Sequence, residues 1–371
     1  MRVLYFSDSY GPHDFRFLAF LAGSGCEVLF LRRRPGRIVE RRPLPDGVTA
    51  LPPLDPDGGR PLRLGVALVG EMRRVLLDTR PDVVHAGPLQ SCAWLVARAG
   101  FERLVSMSWG SDLMLDARFG LGRWQAAGTL QRTSVFLGDC ESVRRRAVEL
   151  GMDSTRTIVF PWGVDLDLFC PGRTSQARDR LGWQAALVLL CMRAWEPRYG
   201  VDTVLEAFLR ASRHTPNLRL ILAGDGPLRP YLIDRIQETG LADRIWLPGH
   251  VPYGELPMLF HSADIYLSGS YCDGSSVSLL EAMACGLPSF VTDIAGNREW
   301  IEKDVSGRWF SPGDITGLED LLRQAPRMAA ELADCGERAR VIAEERADWR
   351  RNAPAMLEAY AMAFAEDRGA R

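Results

Sequence analysis

The basic residues of this chain are almost all arginine. Of 45 lysine and arginine residues in 371 positions, Lys303 is the only lysine. The 47 acidic residues slightly outnumber the basic ones, so the formal net charge is −2. No stripe of basic residues alternates with aromatic residues, which is the usual pattern of a nucleic-acid-binding surface. The composition therefore predicts no nucleic-acid partner.

Long apolar runs are also missing. No segment approaches the roughly 20 apolar residues that a bilayer-spanning helix needs. Met1-Arg2 leads directly into the short apolar run VLYF, which does not resemble a signal peptide. The eight cysteines include no C-x-x-C pair, which is typical of reduced, scattered thiols. We therefore expect a cytoplasmic protein.

Sequence signals of several enzyme classes are absent as well. The five histidines and eight cysteines do not have metal-ligand spacing, so we expect no metal and no other cofactor. Asp165 and Asp167 form a D-x-D pair, but we expect them in a connection between domains. There is no nucleophile elbow of a serine hydrolase. No G-x-G-x-x-G follows the first apolar run, which argues against a dinucleotide-dependent dehydrogenase.

The chain does contain a regular alternation of short apolar runs and helical patterns. In the first half the predicted strands are 3–7, 26–32, 81–87, 104–112 and 157–165, with helices over 15–25 and 64–78. The alternation begins again in the second half, with predicted strands over 186–192, 218–226, 244–250, 264–268 and 288–293. Strands and helices alternating at this pitch predict parallel, doubly wound α/β sheets. The length fits two such domains, with a boundary near Pro171-Gly172.

One segment of the second half, DGSSVSLLEAMACG (273–286), predicts a loop that leads into a helix. Its glycine permits a tight turn, its serines suit the helix N-cap, and the free N–H groups of such a turn bind anions. Asp273 begins the segment, and Glu281 lies about two helical turns beyond the loop. This combination suits a ligand with both phosphate and hydroxyl groups, such as a nucleotide sugar.

Four segments, in their order and spacing, resemble the retaining nucleotide-sugar glycosyltransferases of glycosyltransferase family 4. They are PWGVDLDLF (161–169), LAGDGPLRPYL (222–232), LPGHVPYGELPMLFHSADIYLS (247–268) and DGSSVSLLEAMACG (273–286). The last matches the acid-x7-acid signature of the family, which usually has glutamate where this chain has Asp273. The resemblance covers most of the chain. It implies the GT-B fold, in which two Rossmann-like domains face each other across a ligand cleft.

The resemblance also implies the domain roles and the reaction. Residues 1–170 would bind the acceptor, residues 171–350 would bind the nucleotide sugar, and residues 351–371 would form a helix that packs back on the first domain. A hexose or N-acetylhexosamine would pass, with retention and without a metal, from a nucleoside-diphosphate sugar to an acceptor hydroxyl. We expect UDP first and GDP second as the nucleotide. Glycan, lipid-linked and small-molecule acceptors all remain open.

Three residues are predicted to act in catalysis. Arg193 and Arg198 follow a predicted strand and would stabilise the leaving phosphate, which arginine can contact with two N–H groups. Asp273 would contact hydroxyls of the donor sugar. The alternatives are surface arginines in an arginine-rich protein and a helix-capping or solvated carboxylate.

A larger set is predicted to bind the donor. Glu281 would accept hydrogen bonds from the ribose, and the glycines and amides would bind phosphate, sugar or base. The predicted donor contacts are Gly11, Gly224, Gly226, Gly249, His250, Val251, Gly274, Ser275, Ser276, Val277 and Glu281. The turn 224–226 is equally typical of a plain strand-to-helix connection, and His250 is equally consistent with a surface histidine.

The first half offers weaker candidates for contact with the acceptor or sugar. They are His13, His85 and Trp109. Trp109 stands where many family members have histidine, and it either stacks on a sugar or packs internally. His85 either faces a ligand or is a satisfied buried histidine. The segment LRRRPGRIVERRPLP (31–45) has six arginines and one acid, so it predicts peripheral contact with anionic lipid or an anionic acceptor, or else a solvated loop.

Two further classes of function fit the same pattern. The first is another GT-B enzyme, such as a sugar-nucleotide epimerase that hydrolyses or inverts its donor, although no acid–base pair for this is evident. The second is a protein that binds a nucleotide sugar without turnover, which the departures at Asp273 and Trp109 would permit. Products formed without an acceptor, and binding without turnover, would distinguish these classes.

Overall fold

The structure is a computed structural model that describes residues 1–35, 40–56, 65–172, 176–249 and 251–369. His250 and residues 36–39 of the basic segment lie outside these ranges. The chain divides into two compact units. Unit 1 comprises Met1–Phe160 and Ala353–Arg371, and unit 2 comprises Pro161–Asn352.

Unit 1 contains, within the described ranges, a seven-stranded sheet in which every strand pairing is parallel. Its strands are β1 Arg2–Ser7, β2 Glu27–Arg32, β3 Val48–Ala50, β4 Val83–Ala86, β5 Leu104–Met107, β6 Val135–Gly138 and β7 Thr157–Val159. Their order is β3-β2-β1-β4-β5-β6-β7. The order reverses between β1 and β4, which is where open α/β sheets bind ligands.

Unit 2 repeats this arrangement in a parallel sheet that has six strands in the described part of the chain. They are β8 Leu187–Met192, β9 Leu218–Ala223, β10 Ile245–Trp246, β11 Ile265–Ser268, β12 Ser289–Thr292 and β13 Gly307–Phe310. Their order is β10-β9-β8-β11-β12-β13, with the reversal between β8 and β11. The predicted parallel α/β sheets are confirmed.

Helices connect the strands, and the last four helices follow β13. The helices are α1 Pro12–Gly23, α2 Gly65–Thr79, α3 Trp94–Ala99, α4 Gly120–Leu130, α5 Glu141–Glu149, α6 Gln176–Leu181, α7 Val201–Ala211, α8 Arg229–Thr239, α9 Leu256–His261, α10 Val277–Ala284, α11 Ala295–Arg298, α12 Ile315–Gln324, α13 Ala329–Arg346, α14 Trp349–Asn352 and α15 Ala355–Gly369. Within the described residues, no helix has the length and apolar character needed to cross a lipid bilayer.

The unit 2 sheet is buried on both faces. Along β8, Val188 and Leu190 belong to one apolar core, together with residues of α9, α10 and α13. Leu189 and Cys191 point into a second core, which α7, α8 and α12 close. Side chains alternate between the faces of a strand, so a continuous apolar run predicts burial on both sides.

The terminal helix α15 belongs to unit 1, where it contacts β5 and β6. Its Tyr360 hydroxyl lies 2.8 Å from Nδ1 of His85 on β4, and both side chains are fully buried. On the same face Phe17 of α1 packs against Tyr5 of β1, with ring centroids 6.3 Å apart. Helices from both ends of the chain therefore complete one core.

Several predicted strands are shorter than the sequence suggested. The predicted strand 244–250 is only Ile245–Trp246, because Pro248 lacks an N–H and Gly249 has φ of +70°. The predicted strand 157–165 ends at Val159, just before Pro161, and 104–112 ends at Met107. These early ends leave the following residues in loops at the carboxyl ends of the strands.

Candidate functional site

Four loops meet at the carboxyl ends of β8, β9, β11 and β12 in unit 2. Glycine allows their backbones to approach closely. A Cβ atom on Gly200 would lie 2.0 Å from the carbonyl oxygen of Gly269, and one on Gly224 would lie 2.1 Å from that of Arg193. A Cβ on Gly296 would lie 2.4 Å from the carbonyl oxygen of Gly274. The four loops therefore fix one another's positions.

Arg193 and Asp273 form a buried ion pair between two of these loops. Arg193 follows β8, Asp273 follows β11, and the guanidinium donates to the Asp273 carboxylate. Their side chains are only 10% and 15% exposed, respectively. Because β8 and β11 are neighbours at the reversal of strand order, the pair lies where this fold class binds its ligands.

The rest of the Arg193 environment holds its guanidinium in place. It donates to the hydroxyl of Ser276 and to that of Ser278, the latter at 3.3 Å, and it stacks over the Tyr199 ring at 4.2 Å. Burial disfavours its charge, but the Asp273 carboxylate, together with smaller contributions from Tyr266, Tyr199 and Cys191, outweighs burial and raises the pKa of Arg193. Among the residues that the structure describes, Nε of Arg193 has no hydrogen-bond partner. Arg193 is therefore a cation held in a fixed position.

Other buried side chains fix the loop that begins at Asp273. Burial raises the pKa of the Asp273 carboxyl group, and the Arg193 guanidinium opposes that change. Two residues further on, Ser275 accepts a hydrogen bond of 3.0 Å from the indole N–H of Trp300, and both side chains are buried. Ser276 is the N-cap of α10, and Val277 is its first residue. Predicted contacts Gly274, Ser275, Ser276 and Val277 thus form one continuous turn beside Arg193.

Glu281 lies within α10 and is 4% exposed. Burial, together with the negative charge of Glu281, raises the pKa of the nearby Cys285 thiol. The position of Glu281 in the second turn of the helix agrees with the sequence expectation. Its predicted role toward ribose stays a prediction.

Arg198 is held differently from Arg193. Its guanidinium pairs with Glu196 at 2.6 Å, and the side chains are 39% and 34% exposed. Its carbonyl oxygen accepts the N–H of Tyr271 at 2.9 Å, which joins this loop to the one that carries Asp273. The structure therefore places Arg198 in the same loop cluster, but at its surface.

The turn Gly224-Asp225-Gly226 wraps around Trp195. The backbone N–H of Trp195 donates to the carbonyl oxygen of Asp225 at 2.9 Å, and both glycines have positive φ. The Asp225 carboxylate accepts from Gly226 N–H and pairs with Arg229. These contacts make it a tight strand-to-helix turn beside Arg193.

Gly249 and the partly buried Val251 follow β10, while His250 lies outside the described residues.

The predicted contacts in unit 1 lie at the carboxyl end of its own sheet. Gly11 donates its N–H to Asp14 at 2.7 Å, and Asp14 also accepts from the Tyr5 hydroxyl at 3.0 Å. Burial raises the pKa of Asp14 to about 6, although these hydrogen bonds oppose the change. The Trp109 ring lies 5.5 Å from that of His13 and 6.2 Å from that of Phe17. The structure thus groups Gly11, His13 and Trp109.

His85 has a different environment. It is completely buried, it contacts Tyr360, and burial lowers its pKa to about 3. In this conformation it is the buried histidine that the sequence left open as one alternative, and contact with an acceptor would require it to become exposed.

Asp112 is a key residue of unit 1 that the sequence did not single out. Its buried carboxylate accepts hydrogen bonds from the backbone N–H of Trp109 at 2.9 Å, the backbone N–H of Leu89 at 3.0 Å and the Ser108 hydroxyl at 2.6 Å. It joins the loop after β5 to the loop after β4. The only sequence signal was its place in the WGSD loop. Tyr199 and Trp300 in unit 2 were missed in the same way.

The basic segment 31–45 is partly neutralised. Arg33 donates to Asp8 at 2.9 Å, and Arg42 pairs with Glu40 at 2.6 Å. Arg42 also stacks over the Phe15 ring at 3.7 Å. Two of the six arginines are therefore already engaged with acids.

Among the described residues, no group of three or more His, Cys, Asp or Glu could hold a metal ion.

Two family models match the chain, one in each half. The model described as Glycosyltransferase Family 4 matches residues 15–168, and the model described as Glycosyl transferases group 1 matches residues 175–342. The chain belongs to glycosyltransferase family 4. The resemblance noted in the sequence is confirmed.

Curated relatives of this family-4 glycosyltransferase are moderately similar to it. The GDP-mannose-dependent alpha-(1-6)-phosphatidylinositol monomannoside mannosyltransferase of Mycolicibacterium smegmatis is 28% identical over 72% of this chain and 74% of its own length. A D-inositol 3-phosphate glycosyltransferase of Geodermatophilus obscurus is 31% identical over 61% of this chain. The match spans about half of that relative, 52% of its length.

Solved structures place the family-4 chain in the GT-B fold. Anabaena HepE in complex with UDP has a TM-score of 0.79 at 20% identity, covering 97% of this chain and 100% of that one. Sucrose-phosphate synthase from Thermosynechococcus elongatus has a TM-score of 0.80 at 18% identity, covering 99% and 100%. The predicted GT-B fold class is confirmed.

Proposed function

We propose that this chain is a retaining, metal-independent glycosyltransferase that moves a sugar from a nucleoside-diphosphate donor to an acceptor hydroxyl. The observation that carries the proposal is the Arg193–Asp273 pair, held with Ser276 and Ser278 beside the first turn of α10. A fixed cation and a helix N-terminus at the carboxyl end of a sheet suit a diphosphate. Membership of family 4 supports the same reaction.

The phosphates, the sugar and the ribose of the donor would each have a counterpart in unit 2. Arg193 would stabilise, through its positive charge, the negative charge that develops on the leaving phosphate. Asp273 would accept from a sugar hydroxyl while it remains paired with Arg193. Glu281 would accept from ribose hydroxyls. Arg198, at the surface of the cluster, would approach the diphosphate when the donor is bound.

The reaction proposed is a same-face substitution. The bond between the anomeric carbon and the phosphate oxygen breaks through an oxocarbenium-like state. The acceptor oxygen forms a bond on the same face, and its proton passes to the leaving phosphate. In this scheme no protein side chain acts as a covalent nucleophile, and Arg193 stabilises the phosphate in place of a metal ion.

The donor base and the acceptor define the panel of compounds to test. We expect a UDP or GDP sugar, and the GDP-mannose in a relative's name makes GDP the essential comparison. The names of both relatives above contain inositol, as D-inositol 3-phosphate or as a phosphatidylinositol mannoside. We therefore include free inositol phosphates and phosphatidylinositol lipids among glycan and small-molecule acceptors.

Calorimetric titration of UDP, GDP, ADP and their sugar conjugates tests the donor site. One nucleotide family should bind to the wild type, and Glu281→Ala should weaken it at least about tenfold, because a buried acceptor is lost. Glu345→Ala, which changes an exposed glutamate of α13, is the matched control and should bind normally. Binding of no nucleotide, or equal binding by Glu281→Ala, would contradict the proposed site.

Product analysis tests the reaction. NMR of the anomeric proton should show the donor's configuration in the product, and activity should survive chelation of divalent ions. Inversion, or loss of activity with chelator that added metal restores, would contradict the mechanism. Conversion of the donor sugar without any acceptor would indicate an epimerase instead, and binding without turnover over the whole panel would indicate a non-catalytic binder.

A further inference from the structure

Three large hydrophobic side chains of unit 1 project into solvent from one short segment. Phe119 is 81% exposed, Trp124 58% and Leu121 52%, and all three lie at or within the first turns of α4. Elsewhere in the described chain, comparably exposed large hydrophobics are scattered singly, as Leu77 is on α2. Scattered exposure is ordinary, whereas a cluster marks an interaction surface. We call these three residues the α4 ridge.

The backbone holds the ridge firmly. Gly120 has φ of +60°, and a Cβ on Gly122 would lie 2.1 Å from the carbonyl oxygen of Asp116. The Arg146 guanidinium donates to the Ala117 carbonyl oxygen at 3.1 Å, which joins the segment to α5. The exposed side chains therefore stand on a closely packed turn.

A basic depression adjoins the ridge. A cavity of about 400 Å³ is lined by Met114, Arg118, Phe119, Arg123 and Arg146. Arg146 pairs with Glu149, but neither Arg118 nor Arg123 forms an ion pair with any residue that the structure describes. Asp116 is the only acid between positions 113 and 124. The depression thus offers two free guanidinium groups beside exposed aromatic rings.

We propose that the α4 ridge and this depression dock the protein on an anionic lipid surface. Tryptophan and phenylalanine favour the interface between headgroups and acyl chains, and guanidinium groups bind lipid phosphates. Three apolar side chains fall well short of the roughly 800 Å² per partner of a standard protein interface. A lipid surface needs no such area, because shallow insertion and charge act together.

The proposed docking surface is connected to the predicted acceptor contacts. The segment from Asp112 to Asp116 leads from the Trp109 loop to the ridge, and Asp112 fixes that loop through the Trp109 N–H. If the proposed transferase function is correct, the surface brings a lipid-linked acceptor next to Trp109. Docking itself requires only the ridge and the two arginines. The sequence expectation of membrane contact through the basic segment 31–45 stays a separate prediction, although Arg33 and Arg42 of that segment are already paired.

Vesicle co-sedimentation of the full chain, without donor or acceptor, tests docking. The wild type should sediment with phosphatidylcholine vesicles that contain phosphatidylglycerol, and not with phosphatidylcholine alone. Phe119→Ser/Trp124→Ser and Arg118→Gln/Arg123→Gln should each reduce the bound fraction roughly tenfold. The matched controls Leu77→Ser and Arg327→Gln/Arg338→Gln remove equally exposed groups elsewhere and should bind normally.

Depth of insertion gives a second readout. Lipids brominated in the acyl chain should quench part of the tryptophan fluorescence of the wild type, and Trp124→Phe should remove that quenching. No vesicle binding, or binding that the ridge variants leave unchanged, overturns the proposal. A wild-type dimer in sedimentation velocity that Phe119→Ser/Trp124→Ser dissociates would make the ridge a self-association surface instead. Nucleotide binding is measured separately, so failure of the transferase proposal is distinguishable.

Discussion

Arg193 and Asp273 lie 80 positions apart, and each compensates the buried charge of the other. Removing one partner of such a pair leaves an uncompensated charge, which is more damaging than removing both. We expect Arg193→Gln to lower the free energy of unfolding by about 3 kcal/mol. Arg193→Gln combined with Asp273→Asn should lower it by clearly less than the sum of the single changes. Denaturant unfolding of the four proteins gives this coupling.

An exposed ion pair of an arginine and an aspartate provides the control for this double-mutant cycle. Arg229 and Asp225 are 49% and 67% exposed, so solvent screens their interaction. Arg229→Gln should leave stability unchanged. If the Arg193 and Asp273 variants were additive, the buried pair would not act as a unit.

His85 and Asp14 respond to pH in opposite directions. Burial lowers the pKa of His85 from 6.5 to about 3, so only the unfolded chain binds its proton between those values, and stability falls as pH falls through that range. Burial raises the pKa of Asp14 from 3.8 to about 6, so the folded chain binds its proton first. This stabilisation grows as pH falls from 6 toward 4 and is lost as pH rises through 6.

These two effects should nearly cancel in the wild type. Lowering the pH from 7 to 5 should reduce the free energy of unfolding of the wild type by less than about 1 kcal/mol through these two groups. The same change should reduce that of Asp14→Asn by about 2 kcal/mol, because only the His85 effect remains. Denaturant titrations at both pH values measure the difference. Asp320→Asn, at an exposed position, should behave like the wild type. Equal acid sensitivity of Asp14→Asn and the wild type would show that Asp14 does not offset His85.

At the scale of elements, glycines set how closely the loops after β8 and β11 approach. Gly200 and Gly240 both have positive φ, +54° and +67°, but only Gly200 faces another backbone. Gly240→Ala should cost about 1 kcal/mol of strain. Gly200→Ala should cost several kcal/mol more, since its Cβ would collide with Gly269. It should also weaken nucleotide binding in calorimetry, whereas Gly240→Ala should not. Equal effects of the two variants would contradict this account.

The sequence predicted most of the strands that are continuous apolar runs, such as β8 and β11, because burial on both faces leaves a clear pattern. It did not predict β3, β6 or β13. Val135–Gly138 is buried and apolar, but it is only four residues long. Val48–Ala50 is three residues long and partly exposed, and Gly307–Phe310 carries arginine and glycine. Short strands at the edge of a sheet have neither the length nor the two-sided burial that makes a pattern visible.

The candidate site was predictable in part for a similar reason. The reversal of strand order brings the loops after β8 and β11 together, so the sequence could place Arg193 and Asp273 in one neighbourhood. It could not show that they pair with each other, or that Trp300 donates to Ser275. Those contacts depend on side-chain directions and on packing between distant segments, and no local pattern records either.

At the scale of the whole molecule, each unit has its own buried core. Heating should therefore produce two calorimetric transitions rather than one. A nucleotide at about 100 times its Kd should stabilise unit 2 by about 2.7 kcal/mol and raise only its transition. Tyr360→Phe, which removes the contact of α15 with His85, should lower only the unit 1 transition. A nucleotide that shifted the transition lowered by Tyr360→Phe would place the donor site in unit 1, against the assignment made from Arg193, Asp273 and Glu281.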